Sequence, residues 1–333
     1  MRDSRARARP RRRGPVLIPL AEIERARERI AGDAIRTPLV RLPIDVPGSE
    51  IWLKLECLQP IGSFKLRGAA NAIRAAGAGA AGRGVFTTSA GNMAQGVAWV
   101  ARELGVPATA VAPDHAPRAK TDAIERLGGT VLRVPFDRWW QAMEEGSYPG
   151  LEGLFVHPVR DPLVMAGNGT IGLELVEQLD GIDAVLVPWG GGGLTTGIAS
   201  ALRARSPSTR VYACEPETGA PVTATLAGGG DPVAVDYRAS FVDGAGSKAL
   251  LPDVWSLARG LLAGAFALGL DEVAAAVRLL AERAHVVAEG AGALPVAAAL
   301  SGRAGGGRLV CIVSGGNIDA DRLATILAGR TPD

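Results

Sequence analysis

The chain has 333 residues, 47% of them hydrophobic and 21% charged, with a formal net charge of +2, and is long enough for two domains with a sizeable core. Seven of its 36 basic residues and one of its 34 acidic residues lie in "MRDSRARARPRRR" (1–13), which leaves a mildly acidic body of 29 against 33 and argues against a nucleic-acid partner. No apolar stretch approaches the roughly 18 residues of a membrane span.

The arginine-rich segment has no apolar period, and residues 1–15 read as a disordered, solvated leader. The apolar "PVLIPLA" behind it is too short for an export signal and is followed at once by the charged "EIERARERI". Cys57, Cys214 and Cys311 show no ligand spacing, and only three histidines are present. The expectation is three reduced, buried thiols, no metal centre and a cytoplasmic location.

From residue 50 onward, strand-like runs alternate with helical patterns. The strands are "EIWLKLE" (50–56), "GVFTTS" (84–89), "ATAVAP" (108–113), "TVLRVP" (130–135), "LFVHP" (154–158), "AVLVPWG" (184–190), "RVYACEP" (210–216) and "RLVCIVSGG" (308–316). Helical patterns lie between them at 68–76, 92–105, 116–128, 170–179 and 194–205. This alternation predicts an α/β protein with parallel or mixed sheets covered by helices. Several strands are continuously apolar, as strands buried on both faces are.

Glycine clusters mark the segment before Lys65, the loop after Ser89, the loop after Trp189 and the turn at Ser314. Open α/β sheets bind ligands at the carboxyl ends of their strands, so the clusters belong to one cleft. "VPWGGGGLTTGIASAL" (187–202) is a strand, four glycines and a helix. Such a junction offers free backbone N–H groups and a positive helix end to a phosphate; the alternative is a purely structural tight turn. Within that junction neither GK[ST] nor GxGxxG occurs, so it is neither nucleotide loop. In "QPIGSFKLRGA" (59–69), Lys65 stands beside Phe64 at a helix mouth. The plain alternative is a solvated surface lysine. A phosphate cradle with a presented lysine and no metal cluster points to pyridoxal 5'-phosphate, whose aldehyde a lysine amine captures as a Schiff base.

With these motifs in order from about Thr37 to Asn317, the sequence resembles the fold-type II pyridoxal-phosphate enzymes of the threonine/serine dehydratase and serine racemase group. "KLECLQPIGSFKLRGA", "SAGNMAQGVA" (89–98), "GGGGL" (190–194), "EGAGA" (289–293) and "SGGN" (314–317) carry the resemblance. It implies the two-domain, tryptophan synthase beta-like fold. Residues 16–82 and 161–333 would form the large cofactor-binding domain, and 83–160 a small mobile one. It implies that Lys65 is the Schiff-base and catalytic lysine, with Phe64 packed by the ring. Asn92 would face the ring's phenolic oxygen, Gly190, Gly191, Gly192, Gly193 and Leu194 would hold the phosphate, and Ser314 would bond the ring nitrogen. Ser89, Ala90, Gly91 and Asn92 would grip the substrate carboxylate. Glu289 is either a site residue or a solvated carboxylate at a helix start.

The implied activity is an ammonia-lyase that converts a β-hydroxy L-amino acid, such as threonine or serine, to a 2-oxo acid and ammonia, in a homodimer. The alternatives are a bulkier substrate (phenylserine-like or hydroxyaspartate-like), β-replacement, racemisation, and a non-catalytic ligand-binding relative. In racemising relatives a loop serine serves the second face of the ring; here Ala90 occupies that position. The family's histidine after the loop asparagine is Met93. Glu215 is kept, but Pro221 stands where divalent-cation members carry an aspartate, which argues against magnesium and leaves a carbonyl-lined monovalent site as the alternative. The chain ends soon after "SGGN", so no effector domain and no isoleucine inhibition are expected. Whether Trp139 and Trp140, in "FDRWWQAM", recognise substrate is left open.

Overall fold

The computed structural model describes residues 17–116 and 118–332. The arginine-rich leader expected over 1–15 lies outside the described residues.

The chain enters through α1 (Leu20–Arg29) and an edge strand β1 (Leu39–Arg41), then runs through β2 (Ser49–Lys54) to α2 (Lys65–Ala81). Four strands follow in one stretch: β3 (Val85–Thr87), β4 (Ala108–Pro113), β5 (Thr130–Val134) and β6 (Leu154–Phe155). Between them stand α3 (Asn92–Leu104), α4 (Arg118–Arg126) and α5 (Phe136–Glu145). These strands form their own all-parallel sheet in the order β5-β4-β3-β6. The chain then passes through α6 (Pro162–Gln178), β7 (Ala184–Pro188), α7 (Gly193–Arg205), β8 (Arg210–Pro216), α8 (Pro221–Ala227) and α9 (Pro252–Ala258). It closes with β9 (Gly264–Leu268), α10 (Leu270–Leu279), α11 (Gly290–Leu300), β10 (Gly307–Ile312) and α12 (Ala320–Leu327). The second sheet has the order β1-β2-β10-β7-β8-β9, with only β1 antiparallel.

Every residue of β7 is buried, because one apolar layer packs on each face of the large sheet. That is the physical origin of its continuous apolar run. Two strands escaped the sequence pattern. β1 is three residues long, and β9, "GAFAL", carries too few β-branched residues to declare itself. The run read as a strand over 154–158 is in register at Leu154 and Phe155, with Val156 N–H still donating to the Phe86 carbonyl at 2.8 Å. Pro158 has no N–H to carry the ladder further. Cys214 and Cys311 are fully buried, but Cys57 is only half-buried, a correction to the expectation of three buried thiols. Burial pushes the Cys57 thiol up to about 12, so it stays protonated.

Beneath α2 lies a buried ionic network. The Arg67 guanidinium, close behind Lys65 in α2, donates to both Glu56 oxygens at 2.8 Å and to Glu174 at 2.6 Å. Glu174 also accepts from Lys54 Nζ at 2.5 Å. Burial alone would raise Glu56, but Arg67 and Lys54 outweigh it and hold the carboxyl below its ordinary value.

Candidate active site

The segment carrying Lys65 is fixed by a partner some 250 residues away in sequence. Phe64 N–H donates to the Ser314 carbonyl at 3.0 Å, and Gly316 N–H donates to the Gly62 carbonyl at 2.9 Å. Gly62 makes the turn at φ +71, and a Cβ there would lie 2.7 Å from Asn317 Oδ1. Lys65 is the first residue of α2, with Ser63 Oγ accepting its N–H at 3.2 Å. The helix thus starts three residues earlier than the periodicity of 68–76 suggested.

Lys65 is half-buried on the wall of a cavity of about 480 Å³. Its Nζ donates to the Pro158 carbonyl at 2.9 Å and stands 5.2 Å from the Phe64 ring centroid. Burial lowers the amine to about 8, against an opposing pull from Glu289. A desolvated amine of this kind is uncharged, and so nucleophilic, far more often than a surface lysine.

All four glycine-marked segments meet around this cavity. Ser89, Ala90, Gly91 and Asn92 line it, as do Gly190 to Leu194, Ser314 and Glu289. The loops of Ser89, Gly190 and Ser314 leave the carboxyl ends of β3, β7 and β10, where an open parallel sheet presents its ligand site. The N–H groups from Gly190 to Leu194 are donated to no other backbone group among the described residues. They surround the start of α7, where the helix dipole adds positive potential. Those unengaged donors suit a phosphate. The glycines are also demanded by what packs behind them. Gly192 has φ +90, and a Cβ there would fall 2.5 Å from the Trp189 ring. The tight-turn reading of this loop therefore holds at Gly192.

Asn92, the first residue of α3, is held from both sides. Its Nδ2 donates to Glu289 Oε1 at 3.0 Å, and its Oδ1 accepts from Asn317 Nδ2 at 2.7 Å. Glu289 is therefore no solvated helix-start carboxylate: it is 7% exposed, and burial pushes it up to about 7. Ser89 Oγ accepts the Gly91 N–H at 3.2 Å, which shapes the loop. Ala90 presents a methyl group to the cavity wall.

Glu215 takes no part in the cavity. Its carboxylate accepts from Val222 N–H, Thr223 N–H and Thr223 Oγ1, each at 2.9 Å, and so caps α8, which begins at Pro221. Among the described residues no group of three or more His, Cys, Asp or Glu side chains is placed to hold a metal ion.

Sequence reasoning passed over several wall residues, among them His115, Lys120, Asp243 and Pro158. His115 follows β4, so the carboxyl-end rule could have found it. Asp243 sits in "VDGAG", one more glycine-flanked loop. Pro158 contributes a backbone carbonyl, which leaves no signature in side-chain chemistry. Of the two tryptophans left open, Trp139 lines the cavity, whereas Trp140 is largely exposed.

Comparison with known proteins places these features in context. Residues 30–315 match the family described as pyridoxal-phosphate dependent enzyme. The chain is 38% identical over 319 residues to an L-threonine ammonia-lyase of Thermotoga maritima, covering 93% of this chain and 78% of that protein. It is 37% identical to a putative threonine dehydratase of Sinorhizobium fredii, covering 91% of this chain and 93% of the relative. Among solved structures, maize serine racemase superposes with a TM-score of 0.82 at 30% identity, over 93% of this chain and 97% of that one. The processed form of threonine deaminase isoform 2 from Solanum lycopersicum also gives 0.82, at 32% identity, over 95% and 96%.

Proposed function

Since the chain belongs to the family of pyridoxal-phosphate dependent enzymes, we propose that it is an ammonia-lyase that dehydrates a β-hydroxy L-amino acid, threonine or serine among them, to a 2-oxo acid and ammonia. One observation carries this reading: a desolvated lysine amine, a row of unengaged N–H donors and a buried serine converge on one cavity.

The residues fit the cofactor. Lys65 would hold it covalently, the N–H groups of Gly190 to Leu194 would take its phosphate, and the Ser314 hydroxyl would bond its ring nitrogen without adding charge. Once bound, pyridoxal phosphate supplies the electron sink that acidifies the Cα–H bond of an amino acid. Once the substrate amine has replaced it on the cofactor, Lys65 Nζ would accept that proton. A value of about 8 leaves roughly a tenth of the amine uncharged at pH 7, far more than for an ordinary lysine. The loop from Ser89 to Asn92 orients the substrate carboxylate through backbone donors, and the bonds from Glu289 and Asn317 fix the Asn92 amide. The Cα–H and Cβ–OH bonds break with loss of water. The released enamine then takes up water, giving one 2-oxo acid and one ammonia.

Residues 83–160 are proposed to act as a small domain that closes over the cleft and excludes water. The protein is proposed to work as a cytoplasmic homodimer, which light scattering of the purified protein tests. The reading as a whole is tested by incubating holoprotein with L-threonine and L-serine. Equimolar 2-oxo acid and ammonia are expected; neither product from any β-hydroxy amino acid would refute it.

Racemisation is the second reading, favoured by the likeness to serine racemase. It needs a proton donor on each side of the ring, and Ala90 offers only a methyl group.

A pH dependence follows from Lys65. Its amine is depressed to about 8, so capture of cofactor by the apoprotein should speed up as pH rises through about 8 and level off above it. Glu289, ionising at about 7, adds negative charge beside the amine over the lower part of that window. Stopped-flow absorbance between pH 6 and pH 10, roughly two units either side of the amine's value, measures this; a flat profile would contradict it.

A further inference from the structure

The cavity extends past the lysine and glycine segments to α5, where its wall changes character. Trp139 and Met143 both line it. Four residues apart on one helix, they present a single face. Behind Trp139 stands Phe136, with ring centroids 5.4 Å apart, and Phe136 in turn meets the His115 ring at 6.1 Å. His115 lines the cavity as well. This part of the wall therefore presents the Trp139 indole, the Met143 thioether and the His115 ring, with Phe136 packed behind them outside the cavity. The Trp139 Nε1–H is buried and meets no acceptor among the described residues.

Lys120 and Asp243, charged groups elsewhere on the cavity wall, are paired with each other. Lys120 Nζ lies 2.6 Å from Asp243 Oδ2, which also meets Arg322 at 3.4 Å. Lys120 is thus already paired with Asp243 and does not offer an acidic substituent an unpaired cation.

We infer that this end of the cavity is a side-chain subsite for an aromatic β-substituent, so that β-aryl-β-hydroxy-α-amino acids are the preferred substrate class. The inference rests on the ammonia-lyase reading. The same bonds break as with serine, and β-phenylserine yields phenylpyruvate and ammonia with no other reactant. A ring packs against indole and thioether, whereas the hydroxymethyl group of serine leaves that wall uncovered. A single methylene in an apolar pocket already changes kcat/KM by about 10–200-fold.

The experiment measures kcat/KM of the holoenzyme for L-serine, L-threonine, β-phenylserine and β-hydroxyaspartate, in the unmodified protein, Trp139→Ala and Trp139→Phe. β-Phenylserine is expected to exceed serine by about tenfold or more. Trp139→Ala should cut the β-phenylserine to serine ratio by a similar factor, and Trp139→Phe should retain most of it. A preference for serine, threonine or β-hydroxyaspartate would overturn the inference, as would a ratio unmoved by Trp139→Ala. If no substrate yields a 2-oxo acid, the ammonia-lyase reading fails. The subsite is then judged separately by calorimetry of L-phenylalanine against L-alanine, neither of which can be dehydrated. Tighter phenylalanine binding that Trp139→Ala removes upholds it, and equal binding overturns it.

Discussion

Replacing Lys65 with alanine is expected to abolish covalent attachment of the cofactor and to lower turnover by about 10²–10⁴-fold or more, since in the proposed mechanism one side chain supplies both the anchoring amine and the Cα base. Among the described residues lining the cavity nothing else offers the same chemistry: Lys120, the other amine there, is held 2.6 Å from Asp243. The side chain's polar contact is a single hydrogen bond to the Pro158 carbonyl, so the fold should survive and circular dichroism should be unchanged. Borohydride treatment of holoprotein followed by peptide mapping should mark Lys65 in the parent and nothing in the variant. A variant that keeps both the reducible linkage and turnover would refute the assignment.

The second large effect is on stability. Arg67→Met should destabilise the protein by about 3–5 kcal/mol, because it leaves Glu56 as a buried charge without its ion-pair partner and Glu174 with Lys54 alone. The Glu56 pKa is depressed below its ordinary 4.5 in the fold. Its contribution is therefore fully present above that pH and is lost as the pH falls through the folded value. Urea unfolding at pH 7 and at pH 4 measures both effects. A loss under about 1 kcal/mol at pH 7 would show that surrounding groups relax to solvate the pair, contrary to the burial described.

The parts legible in the sequence are those where local pattern and chemistry coincide. β7, the glycine run and α7 declare themselves because a continuously apolar strand, a loop that is costly to order and a helix follow one another. Lys65 is legible for its motif, although Gly68 within "KLRGA" hid the first turn of α2. The ionic network is different in kind. Lys54 sits within "EIWLKLE", where a strand's alternation would put a lysine in solvent, yet it is fully buried because Glu174 arrives from α6. His115 and Asp243 carry only weak sequence signals, a strand's carboxyl end and a glycine-flanked loop. Asn317 lay inside a quoted motif without a role, and its bond to Asn92 shows that it orders the site. α5 carries two adjacent tryptophans, and the sequence could not say which one faces inward.

The central claim is that the site eliminates and does not invert, and partition of one substrate between the two fates tests it most directly. Holoprotein is incubated with L-serine or L-threonine while 2-oxo acid release and the appearance of the Cα-inverted amino acid are followed together. Lys65 can serve one face of the bound substrate, and Ala90 has no proton to give on the other. Release should therefore exceed inversion by a wide margin, and Ala90→Ser should raise the inverted fraction. Inversion that equals or exceeds release in the unmodified protein would contradict the account.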